Sequence, residues 1–199
     1  MALEIRIDLR GNPAAGVYPC CRIELNGIQL ADRPIKSDQT LSFVIEPKDK
    51  NRLQIIHYGK GNRDTKTDAS GNIVEDRSLE ILGIKIGGVD IKSTVLNMQK
   101  FYVVWPDNLV SDYRKRNQDP PQYLINNLYL GFNGTYEFEF PGDPQILHYE
   151  QLWLDEIQAH QNQTIIKDGV EVFNRPDGDS EINTEFDLSI YDLERLISG

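Results

Sequence analysis

The sequence has 199 residues, and its 21 Lys and Arg against 31 Asp and Glu give a formal net charge of −10. This length suits one domain, or one domain with an appendage, and 39% hydrophobic with 26% charged residues is typical of a globular protein. Binding to a nucleic-acid backbone needs a basic surface, so the acidic balance argues against that function. No apolar stretch approaches the roughly 20 residues of a membrane helix, and we expect no membrane insertion.

The amino terminus and the cysteines bear on where the protein is made. Charges at every second position from residue 4 to residue 8 interrupt the apolar core that a secretory signal would need. Cys20 and Cys21 are adjacent, and on a strand they would face opposite sides of the sheet, so they cannot join distant segments. Both observations predict synthesis in a reducing cytosol.

Alternation of apolar and polar residues, which is typical of half-buried strands, dominates the first 140 residues. It predicts strands at residues 3–9, 41–45, 53–58 and 136–140. Asn26-Gly27 separates two further alternating runs. This dipeptide is a strong hairpin signal, because both central residues of a type I′ turn need positive φ.

Two finer expectations concern later parts of the β region. The run at residues 79–86 predicts unbroken alternation, with Ile81 and Gly83 on one face and Leu82 and Ile84 on the other. A second Asn-Gly, Asn133-Gly134, predicts a turn before the last alternating run.

The order of these elements predicts the fold class. Short strands are separated by turn signals, and we recognise no helical pattern before residue 145, whereas a parallel α/β fold needs helices between strands. We therefore predict an all-β fold, an antiparallel β-sandwich or jelly roll, at residues 1–157. A C-terminal extension that ends in a short helix follows at residues 158–199.

We predict that the extension is an arm with a polar linker, a hairpin at Asp168-Gly169, an acidic loop and a terminal helix. The helix has one apolar face, with spacings of four, three and four residues, made of Phe186, Ile190, Leu193 and Ile197. A helix this short is marginal alone, so this face packs either on its own sandwich or on a neighbouring chain. We treat the four residues as candidate interface residues.

No catalytic constellation stands out, and we expect a non-enzymatic protein. The three histidines, His57, His148 and His160, have no spacing that resembles a metal or nucleophile motif. His57 lies inside an alternating strand, which favours a structural role in or near the core.

The loop from Asn62 to Asp76 collects carboxylate, amide and hydroxyl oxygens between two predicted strands. A hard cation such as calcium takes six to eight oxygens from such groups. The EF-hand template does not fit, because its invariant glycine is missing from the sixth position. The alternative is a hydrated hairpin that turns at Ser70-Gly71-Asn72.

Residues 53–58, the polar loop, and Asp76-Arg77-Ser78-Leu79 leading into the next strand resemble the small calcium-dependent xylan-binding carbohydrate-binding modules. The resemblance covers roughly residues 3–140 and implies a jelly roll that holds sugar hydroxyls through calcium. It makes Asp76 a candidate calcium ligand, with Asp64 as a second. Where that family carries Asn-Asp after the fourth strand, this chain has Gly59-Lys-Gly-Asn62.

A second resemblance concerns Phe101-Tyr-Val-Val-Trp-Pro-Asp107, residues 130–140, Leu147-His-Tyr149 and Leu152-Trp153. These stretches are similar to a group of uncharacterised β-rich proteins encoded by tailed phages, notably those of cyanobacteria. The resemblance implies a virion part that is made in the host cytoplasm.

Two functions follow as hypotheses. The first is a virion structural protein, a capsid decoration or a tail or baseplate surface component, present as a homo-oligomer or in many copies among other virion proteins. The alternative is a glycan-binding module, soluble or virion-borne, that attaches to host polysaccharide. For this alternative, Trp105 and Trp153 are candidates for stacking on sugar rings, although a core position for such residues is equally open.

Overall fold

The computed structural model describes residues 2–61, 63–149 and 151–152, and the backbone of residues 165–167 and 170–172. The chain divides into two units, Met1–Ile157 and Gln158–Gly199. In the second unit, β13 (Ile165–Lys167) and β14 (Val170–Val172) pair antiparallel, as the predicted hairpin requires. The predicted acidic loop and terminal helix lie outside the described residues, so the arm stays a prediction.

Strands are the predominant secondary structure of the first unit. In chain order they are β1 (Leu3–Asn12), β2 (Cys20–Leu25), β3 (Ile28–Pro34), β4 (Ser37–Ile45), β5 (Lys50–Tyr58), β6 (Thr65–Thr67), β7 (Ile73–Asp76), β8 (Ser78–Ile86), β9 (Val89–Asp90), β10 (Lys100–Val103), β11 (Tyr129–Leu130) and β12 (Gly134–Pro141). The helices with described bounds are α1 (Ser93–Asn97) and α2 (Asp107–Lys115), and residues 144–149 and 151–152 are also helical.

The strands form two main antiparallel sheets. Sheet 1 has the order β11-β8-β1-β4, with β9 paired to β8, and sheet 2 has the order β10-β12-β5-β2-β3. A separate hairpin of β6 and β7 projects from the loop before β8. Buried residues from both sheets join one hydrophobic cluster. The predicted all-β antiparallel sandwich is therefore confirmed.

Alternation explains which side chains enter this core. In β1 every second residue is buried, from Leu3 to Leu9, and the residues between them face solvent. The inner positions of β12 carry the aromatic residues Tyr136, Phe138 and Phe140. Because large side chains meet across the two sheets, the first unit has a continuous apolar interior.

The predicted Asn-Gly hairpin is confirmed, since Asn26 has φ 52° and Gly27 has φ 81° between β2 and β3. The expectation for Asn133-Gly134 is wrong, because Gly134 is the first residue of β12. A Cβ there would lie 2.3 Å from the carbonyl oxygen of Tyr102, so this glycine allows a close approach of β10.

The expected unbroken alternation in β8 is also wrong. Asp8 of β1 pairs with Gly83 and Leu9 pairs with Ile81, which leaves Leu82 as the extra residue of a β-bulge. The bulge switches the faces, so Ile81 and Ile84 both enter the core while Leu82 is exposed.

Helices before residue 145 were not expected, but α1 and α2 are present. Helix α2 has only nine residues and no buried side chain, so its apolar side, made of Leu109, Val110 and Tyr113, is short and was not recognised beside the strand patterns. No helix in the described part of the chain is long and apolar enough to cross a membrane.

The buried centre of sheet 2 gives a direct test of the sandwich. Ile55 is 0% exposed and pairs with Ile23 on one side and Tyr136 on the other. We expect Ile55→Ala to lower the free energy of unfolding by about 2–5 kcal/mol, because it leaves a cavity in a close-packed interior. Ile28→Ala, at a position that is 66% exposed, is the control and should cost less than about 0.5 kcal/mol. Equal losses in chemical denaturation would contradict this packing.

Candidate functional site

The loops at one end of the sandwich bring four charged residues together, and we call Lys60, Asp64, Asp76 and Arg77 the ion cluster. Lys60 follows β5, Asp64 precedes β6, Asp76 ends β7, and Arg77 connects β7 to β8. The backbone N–H of Arg77 donates to the carbonyl of Asp64 at 2.8 Å, which closes the β6–β7 hairpin at its base. Residues that are distant in sequence thus become neighbours.

Asp76 has three hydrogen-bond donors around its carboxylate. The ammonium of Lys60 and the hydroxyl of Thr65 donate to Oδ1, and the Tyr129 hydroxyl donates to Oδ2 at 3.0 Å. The Lys60 ammonium also donates to the carbonyl of Gly131. The side chains of Lys60 and Asp76 are only 10% and 8% exposed, so this ion pair is buried and well satisfied.

Asp64 has a second basic partner. Its carboxylate accepts from the backbone N–H of Gly61 at 2.6 Å and from the Arg77 guanidinium at 2.8 Å. The Gly61 N–H, helped by the Arg77 charge, holds the pKa of Asp64 below its ordinary value. The carboxylate is therefore ionised and internally compensated at neutral pH.

These contacts decide whether the two predicted calcium ligands fit a metal site. Each carboxylate is paired with a cation of the chain itself, and the Lys60 ammonium is bound by the oxygens that a metal would need. A divalent cation at that point would be repelled by the adjacent ammonium. Among the described residues, no group of three His, Cys, Asp or Glu is arranged to hold a metal ion. The residues present do not fit calcium.

His57 lies beside the ion cluster and is 0% exposed, which agrees with the structural role predicted for it. Its Nδ1 lies 2.9 Å from the carbonyl oxygen of Phe132 and, as a donor, holds β5 to the segment before β12. Burial, together with the nearby charges of Lys60 and Arg77, lowers the pKa of His57 to about 4. The imidazole is thus neutral at physiological pH.

Trp105, one of the two predicted sugar-stacking residues, is half-buried. Its indole N–H donates to the carbonyl of Pro121 at 2.8 Å, and its ring centroid lies 5.8 Å from that of Tyr113 and 5.2 Å from that of Phe132. The ring packs α2 and the following loop against the segment before β12. This arrangement favours the packing alternative over a free sugar platform.

The other predicted site residues lie outside the described part of the chain. They are Trp153 and the proposed interface residues Phe186, Ile190, Leu193 and Ile197. Their roles stay predictions.

Sequence reasoning missed the outer face of sheet 2. Side chains from all five strands converge there, and we call the following set the platform: Arg22, Glu24, Asp32, Arg52, Gln54, Tyr58, Tyr102 and Glu137. These residues share a position in their strands. Each faces outward, on the side of the sheet opposite to the buried residues. Their strands are separated in sequence, and no motif connects them.

One end of the platform is organised around Tyr58. Its hydroxyl donates to Asp32, which also accepts from Arg22 Nε at 3.0 Å. The Arg22 guanidinium carbon lies 5.4 Å from the centre of the Tyr58 ring, within the range of a cation–π contact. The hydrogen bond to Asp32 raises the pKa of Tyr58 to about 12, so the phenol is neutral.

The centre and the far side of the platform are also held by internal contacts. Gln54 Nε2 donates to Glu137 at 2.8 Å, and the Arg52 guanidinium reaches the same carboxylate oxygen. Beyond them, Tyr102 packs edge-on against Tyr123, with ring centroids 5.8 Å apart. Polar groups and tyrosine rings are thus fixed side by side on one face.

The outer face of sheet 1 differs in kind. Its outward side chains form exposed ion pairs, including Arg6 with Asp8 at 3.4 Å and Arg10 with Asp38 at 2.7 Å. Its long strands β1, β4 and β8 carry no aromatic side chain apart from the inward Phe43, and its outward ring is Tyr129 on the two-residue edge strand β11. Among the described strands, an outer face with two tyrosines beside polar groups is therefore found on sheet 2.

No family model and no curated protein matches the chain. Two solved structures show a weak likeness, each with a TM-score of 0.39 and 15% sequence identity over 68% of this chain. One is described as vCBM60 in complex with galactobiose, of which 96% is covered. The other is the selenomethionine form of vCBM60, from work on a circular permutation that links two families of calcium-dependent carbohydrate binding modules, of which 89% is covered.

The buried neutral state of His57 predicts a pH dependence. The pKa is 6.5 in an unfolded chain and about 4 in the fold, so the unfolded state takes up a proton first and stability is lost as the pH falls from 6.5 towards 4. We expect the wild type to lose about 1 kcal/mol more than His57→Gln between pH 7 and pH 5.5, measured by chemical denaturation. His148→Gln, which changes an exposed histidine, should retain the wild-type loss. The same loss in His57→Gln would contradict this assignment.

Proposed function

We propose that this protein is a non-enzymatic glycan-binding module whose ligand lies across the platform. The observation that carries the proposal is the presence of Tyr58 and Tyr102 on one face, beside the hydrogen-bonded side chains of Gln54 and Glu137. One strand, β12, lies between β5 and β10, so the two rings are two strand spacings, about 10 Å, apart across the sheet. A span of this size suits a short stretch of an oligosaccharide.

The chemistry of a sugar matches the groups available. A sugar ring offers hydroxyls that donate and accept, and C–H faces that pack on aromatic rings. Gln54 and Glu137 supply amide and carboxylate groups at the centre, while the tyrosines supply apolar surface with a polar tip. Since the internal hydrogen bonds already fix these side chains, little conformational entropy is lost when a ligand binds.

Charge on the platform favours a neutral glycan. Glu24 and Asp32 pair with Arg22 at 3.7 and 3.0 Å, and Glu137 pairs with Arg52. These two arginines face three carboxylates, which leaves the platform with one net negative charge, against −10 for the whole chain. The platform therefore lacks the basic patch that an anionic polysaccharide needs.

The same pairing supports a binding role over a catalytic one. Glycoside hydrolysis needs a carboxylic acid whose pKa is raised so that it can donate a proton. The pKa of Asp32 is instead lowered, first by the Tyr58 hydrogen bond and then by Arg22. An ionised, hydrogen-bonded carboxylate at this position can accept from a hydroxyl but cannot act as a general acid.

A place in a virion stays a prediction, whether as a capsid decoration or as a tail or baseplate surface component. It rests on the sequence resemblance to β-rich proteins of tailed phages. Glycan binding is compatible with it, because a surface protein of a virion can attach to host polysaccharide.

The proposal predicts binding of the full chain to neutral glycans on an array in the presence of a chelator, because the ion cluster supplies its own cations. Tyr58→Ala and Gln54→Ala should each weaken binding about tenfold, the loss expected for one aromatic or hydrogen-bonding contact. Tyr149→Ala is the matched control, since this tyrosine is 62% exposed and lies outside the platform.

Circular dichroism of each variant would establish that it is folded. Absence of binding to any glycan by the wild type, or equal binding by Tyr58→Ala and Tyr149→Ala, would contradict the proposal.

A further inference from the structure

We propose that β4 is a dimerisation edge, on which β4 of a second copy pairs antiparallel across a two-fold axis. The two copies of sheet 1 would then form one continuous sheet. This inference is independent of the proposed function, because β4 belongs to sheet 1 and the platform lies on sheet 2.

The first observation is that β4 is a long and open edge. Its nine residues pair with β1 in an unbroken register from Gly11–Ser37 to Leu3–Ile45. No described residue makes a backbone hydrogen bond to its other side. Such an edge presents a row of free N–H and C=O groups that can template another strand.

The second observation is that the other described sheet edges carry protection that residues Thr40–Ile45 of β4 lack. Edge strand β3 contains Asp32-Arg33-Pro34 and a register shift against β2. The edge strands β10 and β11 have only four and two residues, and Leu124 covers part of β10 through two backbone hydrogen bonds to Phe101. Short length, proline, charge and bulges are the usual means of preventing edge pairing.

In β4 itself, the residues Thr40–Ile45 are uncharged and include no proline or glycine. Phe43 and Ile45 point towards the core yet are only half-buried, because no strand lies beyond them. Val44, on the outer face, is 76% exposed. A further strand on this edge would remove these apolar side chains from water.

Charge favours a second copy of β4 as the occupant. Strand β4 is centred on Leu41, so a two-fold pairing about Leu41 matches the whole strand with its copy. Extended by one residue beyond each end of β4, this register would bring Lys36 of each copy towards Glu46 of the other, twice per dimer. Both side chains are exposed, and neither forms an ion pair with a described residue.

The neighbouring register is less favourable. A two-fold pairing about Ser42 would keep the same faces but would bring Asp38 opposite Glu46, which are like charges. In the Leu41 register, Asp38 lies opposite Val44 and keeps its partner Arg10 at 2.7 Å. The edge is therefore self-complementary in one register.

A dimer of this kind would carry two copies of the platform. If each binds a weak site on the same polymer, the second binding event is intramolecular and the overall affinity increases. The β4–β4 contact would therefore increase the affinity of the protein for a polysaccharide of repeating units.

The test is the mass of the full chain by sedimentation equilibrium over a range of concentrations. We expect the wild type to approach twice the 22.8 kDa of one chain. Val44→Glu, which sets a carboxylate opposite Asp38, should abolish the dimer. Ile73→Glu is the matched control, since Ile73 is 64% exposed on the β6–β7 hairpin, and it should leave the mass unchanged.

The charge pair tests the register. Lys36→Glu and Glu46→Lys should each weaken association about tenfold, and the double variant should restore it. A wild type that is monomeric throughout, a dimer that Val44→Glu does not affect, or a double variant that fails to recover would each overturn the proposal. Circular dichroism spectra of the variants, whose changed side chains are exposed, should match that of the wild type and show that the monomer is folded.

Discussion

The buried ammonium of Lys60 holds the loop end of the sandwich together. It links the segment after β5 to Asp76 at the end of β7 and to the Gly131 carbonyl before β12. Removing one partner of such a pair leaves an uncompensated buried charge, at a cost of about 3–5 kcal/mol. Tyr58 of the platform lies two residues before Lys60, so the same anchor fixes the end of β5 that carries this ring.

The outer surfaces of the two sheets differ in the groups that they present. Their inner faces share one apolar core, which leaves the outer faces free to differ. Sheet 1 presents exposed ion pairs and one unprotected edge, whereas sheet 2 presents tyrosines among polar groups that are already hydrogen-bonded. We infer from this division that ligand recognition and self-association occupy separate parts of the same domain, and that neither requires a catalytic group.

Alternation was sufficient to predict the strands around Leu3–Leu9 and 136–140 and the Asn26-Gly27 hairpin, because each depends on neighbouring residues alone. It failed at Leu82, where one extra residue moves the apolar side chains to the other face without a local signal. The sequence indicated that Asp76 lies in a loop rich in oxygen groups. It could not show that the cation beside Asp76 is the ammonium of Lys60, because only the folded chain brings these two side chains together. The platform was missed because its members come from strands that only sheet pairing brings together.

Thermal unfolding of the full chain in a chelator and in excess calcium tests most directly whether the ion cluster replaces a metal. We expect the same melting temperature in both conditions, because the Lys60 ammonium already compensates Asp76. A ligand present at 100 times its dissociation constant would add about 2.7 kcal/mol to the stability of the folded state, which corresponds to a rise of several degrees. Such a rise in calcium, abolished by Asp76→Asn, would instead show that the ion cluster binds the metal.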